Sequence, residues 1–169
     1  LTGVFIDGKG FGINGNNAVR CFEVDNGAEV VFTNLTITKG YTTGLGGGLF
    51  INSATVEITW CTISKSTALS YGGGLYIGGS AVVVKMFWCT VSKNTAYDGG
   101  GLYIESATVG MISSNVSGNI ASNDGGGLYI TSLATLTKTS GTVSGNTASN
   151  KGGGASISNG ALLYSVGCT

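Results

Sequence analysis

The sequence contains no proline and no histidine, and only 9% of its 169 residues are charged. Without histidine, the chain lacks the side chain that most often acts as a general base or metal ligand near neutral pH. The formal net charge is zero, so there is no basic excess of the kind that binds nucleic acid or an anionic membrane surface. No apolar run reaches the ~18 residues that a membrane-spanning helix needs. We therefore predict no nucleic-acid partner and no membrane-spanning segment.

Glycine is abundant, at 31 residues, and 42% of the chain is hydrophobic, which argues against disorder. Each of five Gly-Gly-Gly blocks is followed by a short apolar segment such as Leu75-Tyr76-Ile77. The blocks recur every 26 or 27 residues, at 46–48, 72–74, 99–101, 125–127 and 152–154. This period indicates a repeat protein in which each unit packs on its neighbours.

Every repeat contains two further strand-like segments. The first alternates, as in Ala54-x-Val56-x-Ile58, and strict alternation is typical of a strand with one buried face. The second resembles Cys61-Thr62-Ile63-Ser64 and is followed by a turn such as Asn94-Thr95-Ala96. Three strands per repeat predict an all-β, right-handed parallel β-helix with three faces and five to six coils of 26–27 residues. We expect a single domain over 1–169, cut from a longer chain.

Special residues in the repeat have structural explanations. The Gly blocks fit sharp turns that need a positive φ or a close approach of backbone. The Asn of the other turn suits a left-handed conformation, and stacked Asn amides can hydrogen-bond along the solenoid axis. Lys138 stands where the alternating segment should have an apolar residue, and we attribute this to a local shift of register.

The units G-G-G-L-Y-I, Ser-Ala-x-Val and C-T-[IV]-S-x-N-T-A resemble the repeat of the polymorphic outer membrane protein family, a pectin-lyase-like β-solenoid. The resemblance covers nearly the whole chain and is specific for fold, but it is weak for function. It implies an extracellular or cell-surface location and an adhesive or structural role. The partner would be a protein or glycan at a cell surface. Open coil ends could also associate end to end, which would form filaments.

One candidate binding surface is a row of aromatic residues on the strands that follow the Gly blocks. If Ile77 points inward, then Tyr76 points outward, and the equivalent rings form an exposed ladder that could stack on sugars or on a partner protein. Alternatively, the stacked rings stabilise neighbouring strands. Because Tyr76 is expected at the surface, Tyr76→Asp should be tolerated better than Ile77→Asp. The predicted aromatic face comprises Phe50, Tyr76, Tyr103 and Tyr129.

A second candidate is a row of hydroxyls on the outward side of the third strand of each repeat. Such T-x-[ST] arrays resemble the ice-binding faces of β-solenoid antifreeze proteins, although Thr also simply suits an exposed strand. Two glycosylation sequons begin at Asn34 and Asn115 and should also face outward. The predicted hydroxyl face comprises Thr36, Thr38, Thr62, Ser64, Thr90, Ser92, Thr142 and Ser144.

Catalysis is a weaker expectation. Polysaccharide lyases and hydrolases that share this architecture need clustered carboxylates, whereas the eight acidic residues here are scattered. Asp98 and Asp124 share one turn position, and Glu29 and Glu57 align with Lys85. We predict a non-enzymatic module without metal or cofactor. The alternatives are a carbohydrate-binding or polysaccharide-active protein, and an ice-binding protein.

The cysteines do not settle the cellular compartment. Cys61, Cys89 and Cys168 fall in one inward column, where a thiol behaves as a small hydrophobe. Cys61 and Cys89 occupy neighbouring coils, so their Cα separation would permit a disulfide. Their side chains run parallel, which gives a poor dihedral angle and favours free thiols.

Overall fold

The computed structural model describes residues 3–80 and 82–168, and within them the chain forms only strands, turns and bends. Each strand pairs in parallel with the equivalent strand of the next repeat, as Val56 does with Val84. The predicted parallel β-helix is therefore confirmed. The predicted domain also includes residues 1, 2, 81 and 169, which lie outside the described residues.

Four sheets run along the solenoid in this part of the chain, and we name them A to D. Sheet A contains Gly3–Asp7, Glu29–Thr33, Thr55–Thr59, Val82–Phe87, Ala107–Ile112, Thr135–Thr139 and Leu162–Val166. Sheet B contains Gly12–Asn14, Thr36–Thr38, Thr62–Ser64, Thr90–Ser92, Asn115–Ser117 and Val143–Ser144. Sheet C contains Phe22–Val24, Leu49–Asn52, Leu75–Gly78, Leu102–Glu105, Leu128–Thr131 and Ala155–Ile157. Coils are numbered below by their sheet A strands.

Sheet D is an addition to the three predicted faces. Its strands have two residues each and lie in the segment that the sequence predicts as a turn, such as Asn94-Thr95-Ala96. Thr95 and Ala96 pair with Ile120 and Ala121 of the next coil, because the turns stack as closely as the longer strands do. The strands of sheet D are Tyr41–Thr42, Thr67–Ala68, Thr95–Ala96, Ile120–Ala121 and Thr147–Ala148.

The core is a set of stacked apolar columns inside the coils. Sheet C contributes residues such as Leu75 and Ile77, and sheet A contributes residues such as Val84 and Met86, all fully buried. Lys138 continues the column of Met111 with no shift of register, so our explanation of this residue is wrong. Its side chain points inward, is 1% exposed, and donates a hydrogen bond from Nζ to the Ser140 carbonyl oxygen at 2.6 Å.

The Gly block at 72–74 shows why three glycines recur. Gly72 has a φ of +68°, which disfavours any residue with a Cβ. A Cβ on Gly73 would lie 2.4 Å from the Thr95 carbonyl oxygen, and one on Gly74 would lie 2.8 Å from Asn94 Nδ2. The second and third glycines are therefore required by the close approach of backbone and of the Asn side chain.

The predicted Asn ladder is present, with Asn94 and Asn119 buried and Asn146 half-buried. The expectation that these residues adopt a left-handed conformation is wrong, because none of them has a positive φ. Asn94 Nδ2 donates to Asn119 Oδ1 at 3.0 Å, and Asn119 Nδ2 donates to Asn146 Oδ1 at 2.9 Å. Each of these oxygens also accepts the backbone N–H of the preceding ladder residue. Since buried polar groups cost free energy unless they are paired, the ladder fixes the vertical alignment of the coils.

Candidate ligand-binding surface

The aromatic ladder exists, but the expectation that its rings are exposed is wrong. Neighbouring rings of the ladder stack with centroids 5.0 to 5.7 Å apart. Tyr76 is 6% exposed and Tyr103 is 7% exposed. Tyr71 covers Tyr103 at 4.6 Å, and the Arg20 guanidinium lies 4.8 Å from the centre of the Phe50 ring. The ladder therefore mainly joins neighbouring coils.

The hydroxyl face has the predicted register but is only partly accessible. The outward side chains of sheet B form two columns, in which Thr62 pairs with Thr90 and Ser64 with Ser92. Most are half-buried, and Ser64 is 9% exposed. Thr142 lies just before its strand, and its Oγ1 donates to Asn115 Oδ1 at 3.0 Å. The hydroxyls are thus partly used in contacts between coils.

Two tryptophans project from the corner between sheets A and B. Trp60 in coil 3 is 57% exposed, and Trp88 in coil 4 is 52% exposed. Their ring centroids are 5.4 Å apart and the rings are 26° from parallel. Phe87 lies tilted against Trp88 with its centroid 6.0 Å away. The corner therefore presents a supported aromatic stack to solvent.

The backbone holds both indoles outward in an uncommon conformation. Trp60 has a φ of +53° and Trp88 a φ of +52°. Bulky residues rarely adopt this region, and such strain is concentrated at functional sites. Asn34, Ser113 and Ser140 occupy the same position in other coils with similar φ values. The corner thus imposes the conformation, and the chain places tryptophan there in two adjacent coils.

A slot of about 420 Å³ lies beside Trp60. It spans three coils, since Asp7 belongs to coil 1, Asn34 to coil 2 and Trp60 to coil 3. Because coil 2 has the smaller Asn34 where coils 3 and 4 have tryptophan, the space next to the indole stays open. We call the slot and the Trp60–Trp88 stack together the corner site. The slot is lined by Asp7, Lys9, Gly10, Asn34, Leu35, Thr36 and Trp60.

Three lysines form a column on the other side of the sheet B strands. Lys39, Lys65 and Lys93 each follow a strand directly, have φ values of +53° to +58°, and are exposed. Among the described residues, no carboxylate lies within 4.0 Å of their ammonium groups. The ion pair in this part of the chain joins Arg20 to Glu23 and does not involve these lysines. This side of the solenoid is therefore locally positive although the chain is neutral overall.

The profile of the family described as "Right handed beta helix region" matches residues 2–169. The chain belongs to this family. No curated protein and no solved structure matches it. The family assignment agrees with the parallel β-helix that the repeat predicts, and it includes the corner site within the matched residues.

The carboxylates that we considered for catalysis take part in turns of this β-helix. Asp98 is 8% exposed, and its Oδ1 accepts from Asn123 Nδ2 at 2.8 Å and from the Asp124 N–H at 2.9 Å. Asp124 Oδ1 accepts the Lys151 N–H at 2.9 Å. These two acids join neighbouring coils.

A second depression, of about 430 Å³, lies on the outer side of sheet A near the start of the β-helix. Glu29, Glu57 and Lys85 line it together with Phe5, Val31 and other residues. Glu57 and Lys85 are direct neighbours across the sheet. Glu29, however, pairs with Thr55, and Val31 is the residue that pairs with Glu57. The predicted alignment is therefore present for Glu57 and Lys85 and wrong for Glu29, which lies two residues away along its strand.

The two sequons differ in accessibility. Asn34 is exposed and lines the slot, whereas Asn115 is half-buried. The Asn115 side-chain oxygen accepts the Thr142 backbone N–H at 2.9 Å. The expectation that both side chains face outward freely therefore fits Asn34 better than Asn115.

All four cysteines are free thiols, as we favoured for Cys61 and Cys89. Burial raises the pKa of the Cys61 thiol and raises that of Cys89 to about 12. A hydrogen bond from Ser165 is the main cause that lowers the pKa of Cys168. The two buried thiols therefore act as core side chains.

Sequence reasoning did not identify the tryptophans or the lysine column. The signal was present in the repeated words Trp60-Cys61-Thr62 and Trp88-Cys89-Thr90, each of which reaches a lysine three residues later. Within the described residues, no group of three or more His, Cys, Asp or Glu could hold a metal ion. In the same part of the chain, no helix is long and apolar enough to cross a membrane.

Proposed function

We propose that this β-helix is a non-enzymatic extracellular or cell-surface module that adheres to its target through the corner site. The observation that carries the proposal is the Trp60–Trp88 stack, in which both indoles are more than half exposed. Exposed aromatic side chains supply large, rigid contact area at low conformational entropy cost. Pairs of tryptophans are thus well suited to anchor a partner.

The scaffold supports this role because it holds the corner rigidly. The backbone N–H of Trp60 donates to the Phe87 carbonyl oxygen at 2.9 Å, and the backbone N–H of Trp88 donates to the Ile112 carbonyl oxygen at 3.0 Å. The neighbouring Cys61 and Cys89 side chains are buried in the core. A binding group that is fixed by its own backbone loses little freedom when the ligand binds.

Adhesion can be measured with microspheres that carry the protein on mucin-coated and fibronectin-coated surfaces under flow. We expect attachment above that of albumin-coated microspheres on at least one surface. The Trp60→Ala/Trp88→Ala double variant should lose most of this attachment. Tyr97→Ala removes an aromatic ring that is 49% exposed elsewhere and serves as the matched control. Attachment equal to that of albumin on both surfaces would overturn the proposal.

A second candidate function is polysaccharide cleavage in the sheet A depression. Glu29, Glu57 and Lys85 provide carboxylates and an ammonium group on the lining of one concave surface. The test is release of reducing ends from polygalacturonate and from neutral glucans. Release that disappears in Glu57→Gln and persists in Glu105→Gln would support catalysis and contradict the non-enzymatic proposal.

A further inference from the structure

We propose that the slot beside Trp60 binds one neutral pyranose ring of a glycan. This inference rests on the proposed adhesive function and names the chemistry of its ligand. The volume of about 420 Å³ falls within the usual range of small-molecule sites, about 300 to 1,000 Å³. The slot also combines an aromatic surface with a few polar groups, which is the composition that a sugar requires.

The aromatic wall is suited to the apolar side of a sugar ring. Trp60 lines the slot, whereas Trp88 comes from coil 4 and stacks on Trp60 from the opposite side. Pyranose rings carry axial C–H groups that pack on the π-face of an indole. Trp88 thereby supports the ring against which the sugar packs, and one face of Trp60 remains available.

The polar lining supplies donors and acceptors for sugar hydroxyls. Asp7 Oδ1 accepts the Lys9 N–H at 2.9 Å and lies 3.5 Å from Asn34 Nδ2. A carboxylate accepts through both of its oxygens, so Oδ2 can accept a hydrogen bond from a hydroxyl of the ligand. The Asn34 amide and the Thr36 hydroxyl lie in the same lining. Neighbouring hydroxyls of one ring can therefore bond to Asp7 and Asn34 together.

The charges in the slot favour a neutral sugar over an acidic one. Asp7 and Lys9 both line the slot, so their formal charges cancel and a uronate gains no net attraction to offset the desolvation of its carboxylate. The column of Lys39, Lys65 and Lys93 lies beyond the far end of the sheet B strands. The strand Thr62–Ser64 separates the Trp60 corner from Lys65. The lysine column therefore does not determine which ring enters the slot.

Nuclear magnetic resonance provides a direct test, because Trp60 and Trp88 are the only two tryptophans in the chain. The ¹⁵N-labelled, unglycosylated protein would be titrated separately with methyl glucoside, methyl galactoside, N-acetylglucosamine and glucuronate. We expect a saturable shift of the Trp60 indole N–H with at least one neutral sugar, and a smaller shift at Trp88. Glucuronate should bind about tenfold more weakly or not at all.

Two matched variants distinguish the slot from the rest of the stack. Asn34→Trp puts a third indole at a position whose φ of +50° matches those of Trp60 and Trp88, so it should fold and fill the slot. Ser113→Trp, at a φ of +50°, extends the stack on the opposite side and leaves the slot open. Binding should weaken by about tenfold or more in Asn34→Trp and change by less than about twofold in Ser113→Trp.

Three results would overturn the inference: no saturable shift with any of the four sugars, tighter binding of glucuronate than of every neutral sugar, or equal binding in Asn34→Trp. These outcomes are separable from failure of the adhesive function. Adhesion that depends on Trp60 and Trp88 without any sugar binding would leave the module adhesive through another kind of ligand. Sugar binding without microsphere attachment would retain the slot and contradict adhesion.

Discussion

At the scale of single residues, the corner between sheets A and B requires a positive φ, which only some residue types adopt easily. Asn34 and Ser113 both have a φ of +50°, and asparagine is a residue type that tolerates a positive φ at low cost. Trp60 and Trp88 adopt the same conformation at a cost on the order of 1 to 3 kcal/mol each. The surrounding ladder of hydrogen bonds holds them there.

Lys138 is a second exception, because it is a charged residue in an inward column that holds apolar side chains such as Met111 in the preceding coils. Its ammonium group is buried and has one main-chain acceptor, although it also lies 3.6 Å from Cys168 Sγ. Met111 fills the equivalent position in the preceding coil. A buried charge that lacks an ionic partner is costly, whereas a thioether of similar length is not.

We expect Lys138→Met to raise the free energy of unfolding by about 1 kcal/mol or more. Urea denaturation followed by circular dichroism would measure the change. Lys151→Met, at an exposed lysine, is the control and should stay within about 0.5 kcal/mol of the parent protein. A loss of stability in Lys138→Met alone would show that the ammonium group stabilises the end of the core.

The sequence predicted the inward or outward direction of nearly every side chain, because alternation and repeat spacing fix it. Lys138 illustrates the limit of that reasoning. The repeat register places its side chain inward, but a buried charge is so unfavourable that we predicted a local shift of register instead. A single Nζ hydrogen bond to Ser140 was enough to keep the original register, and no sequence pattern indicates that bond.

At the scale of elements, the aromatic ladder of sheet C makes stability depend on pH. Burial, followed by the nearby Glu105 carboxylate, raises the pKa of the Tyr76 and Tyr103 hydroxyls above the ordinary tyrosine value. A raised folded-state pKa gives stability that is complete below the unfolded pKa. That stability is lost as the pH rises from the unfolded value, about 10, towards the folded one.

The free energy of unfolding should therefore decrease from about pH 10 upwards. The Tyr76→Phe/Tyr103→Phe variant keeps the stacked rings and removes the two ionisable hydroxyls. It should resemble the parent protein near neutral pH and lose less stability at alkaline pH. Guanidinium titrations across this pH range would measure the difference. Identical alkaline losses would assign the effect to other groups, such as the Cys61 and Cys89 thiols.

The structure of sheet B argues against ice binding, which the Thr and Ser pattern of its sequence had suggested. A flat, exposed Thr array is required, but Ser64 is 9% exposed and the indoles project from the corner beside the row. We expect a thermal hysteresis near zero at millimolar protein, measured by nanolitre osmometry. A freezing gap that grows with protein concentration and shrinks in Thr62→Lys would contradict this expectation.

The elements also show why direction and exposure had to be distinguished. Tyr76 points away from the coil interior, as the alternation predicted, yet it is buried by the rings on either side and by Glu105 nearby. The prediction that Tyr76→Asp is tolerated better than Ile77→Asp assumed an exposed ring, and the burial of Tyr76 removes that reason. Both Tyr76→Asp and Ile77→Asp should be destabilising, and the loss of two ring stacks explains the cost of the former.

At the scale of the whole molecule, the fold could be predicted because the same pattern of a Gly-Gly-Gly turn and a following strand occurs five times at a regular spacing. The corner site could not, because the slot depends on a difference between coils. Asn34 and Trp60 have the same position in successive repeats, and only their unequal size leaves a space. A consensus repeat averages such differences away.

The vertical alignment of the coils has a mechanical consequence. The main-chain hydrogen bonds between coils, such as that from the Gly73 N–H to the Gly99 carbonyl oxygen, run parallel to the long axis. Tension applied at the two chain ends therefore peels a terminal coil from its neighbour one hydrogen bond after another, whereas each inner boundary spreads the same load over all of its hydrogen bonds. The molecule should be compliant in extension and stiff against shear across the coils.

Optical-tweezers pulling from the two ends should accordingly give a series of small, evenly spaced extensions. Each coil of 26 or 27 residues would release about 90 Å of chain when fully extended. One abrupt lengthening of the entire chain would contradict sequential release. A β-helix of this kind would yield coil by coil under load, and the corner site in coils 1 to 4 would stay intact as long as rupture began at the opposite end.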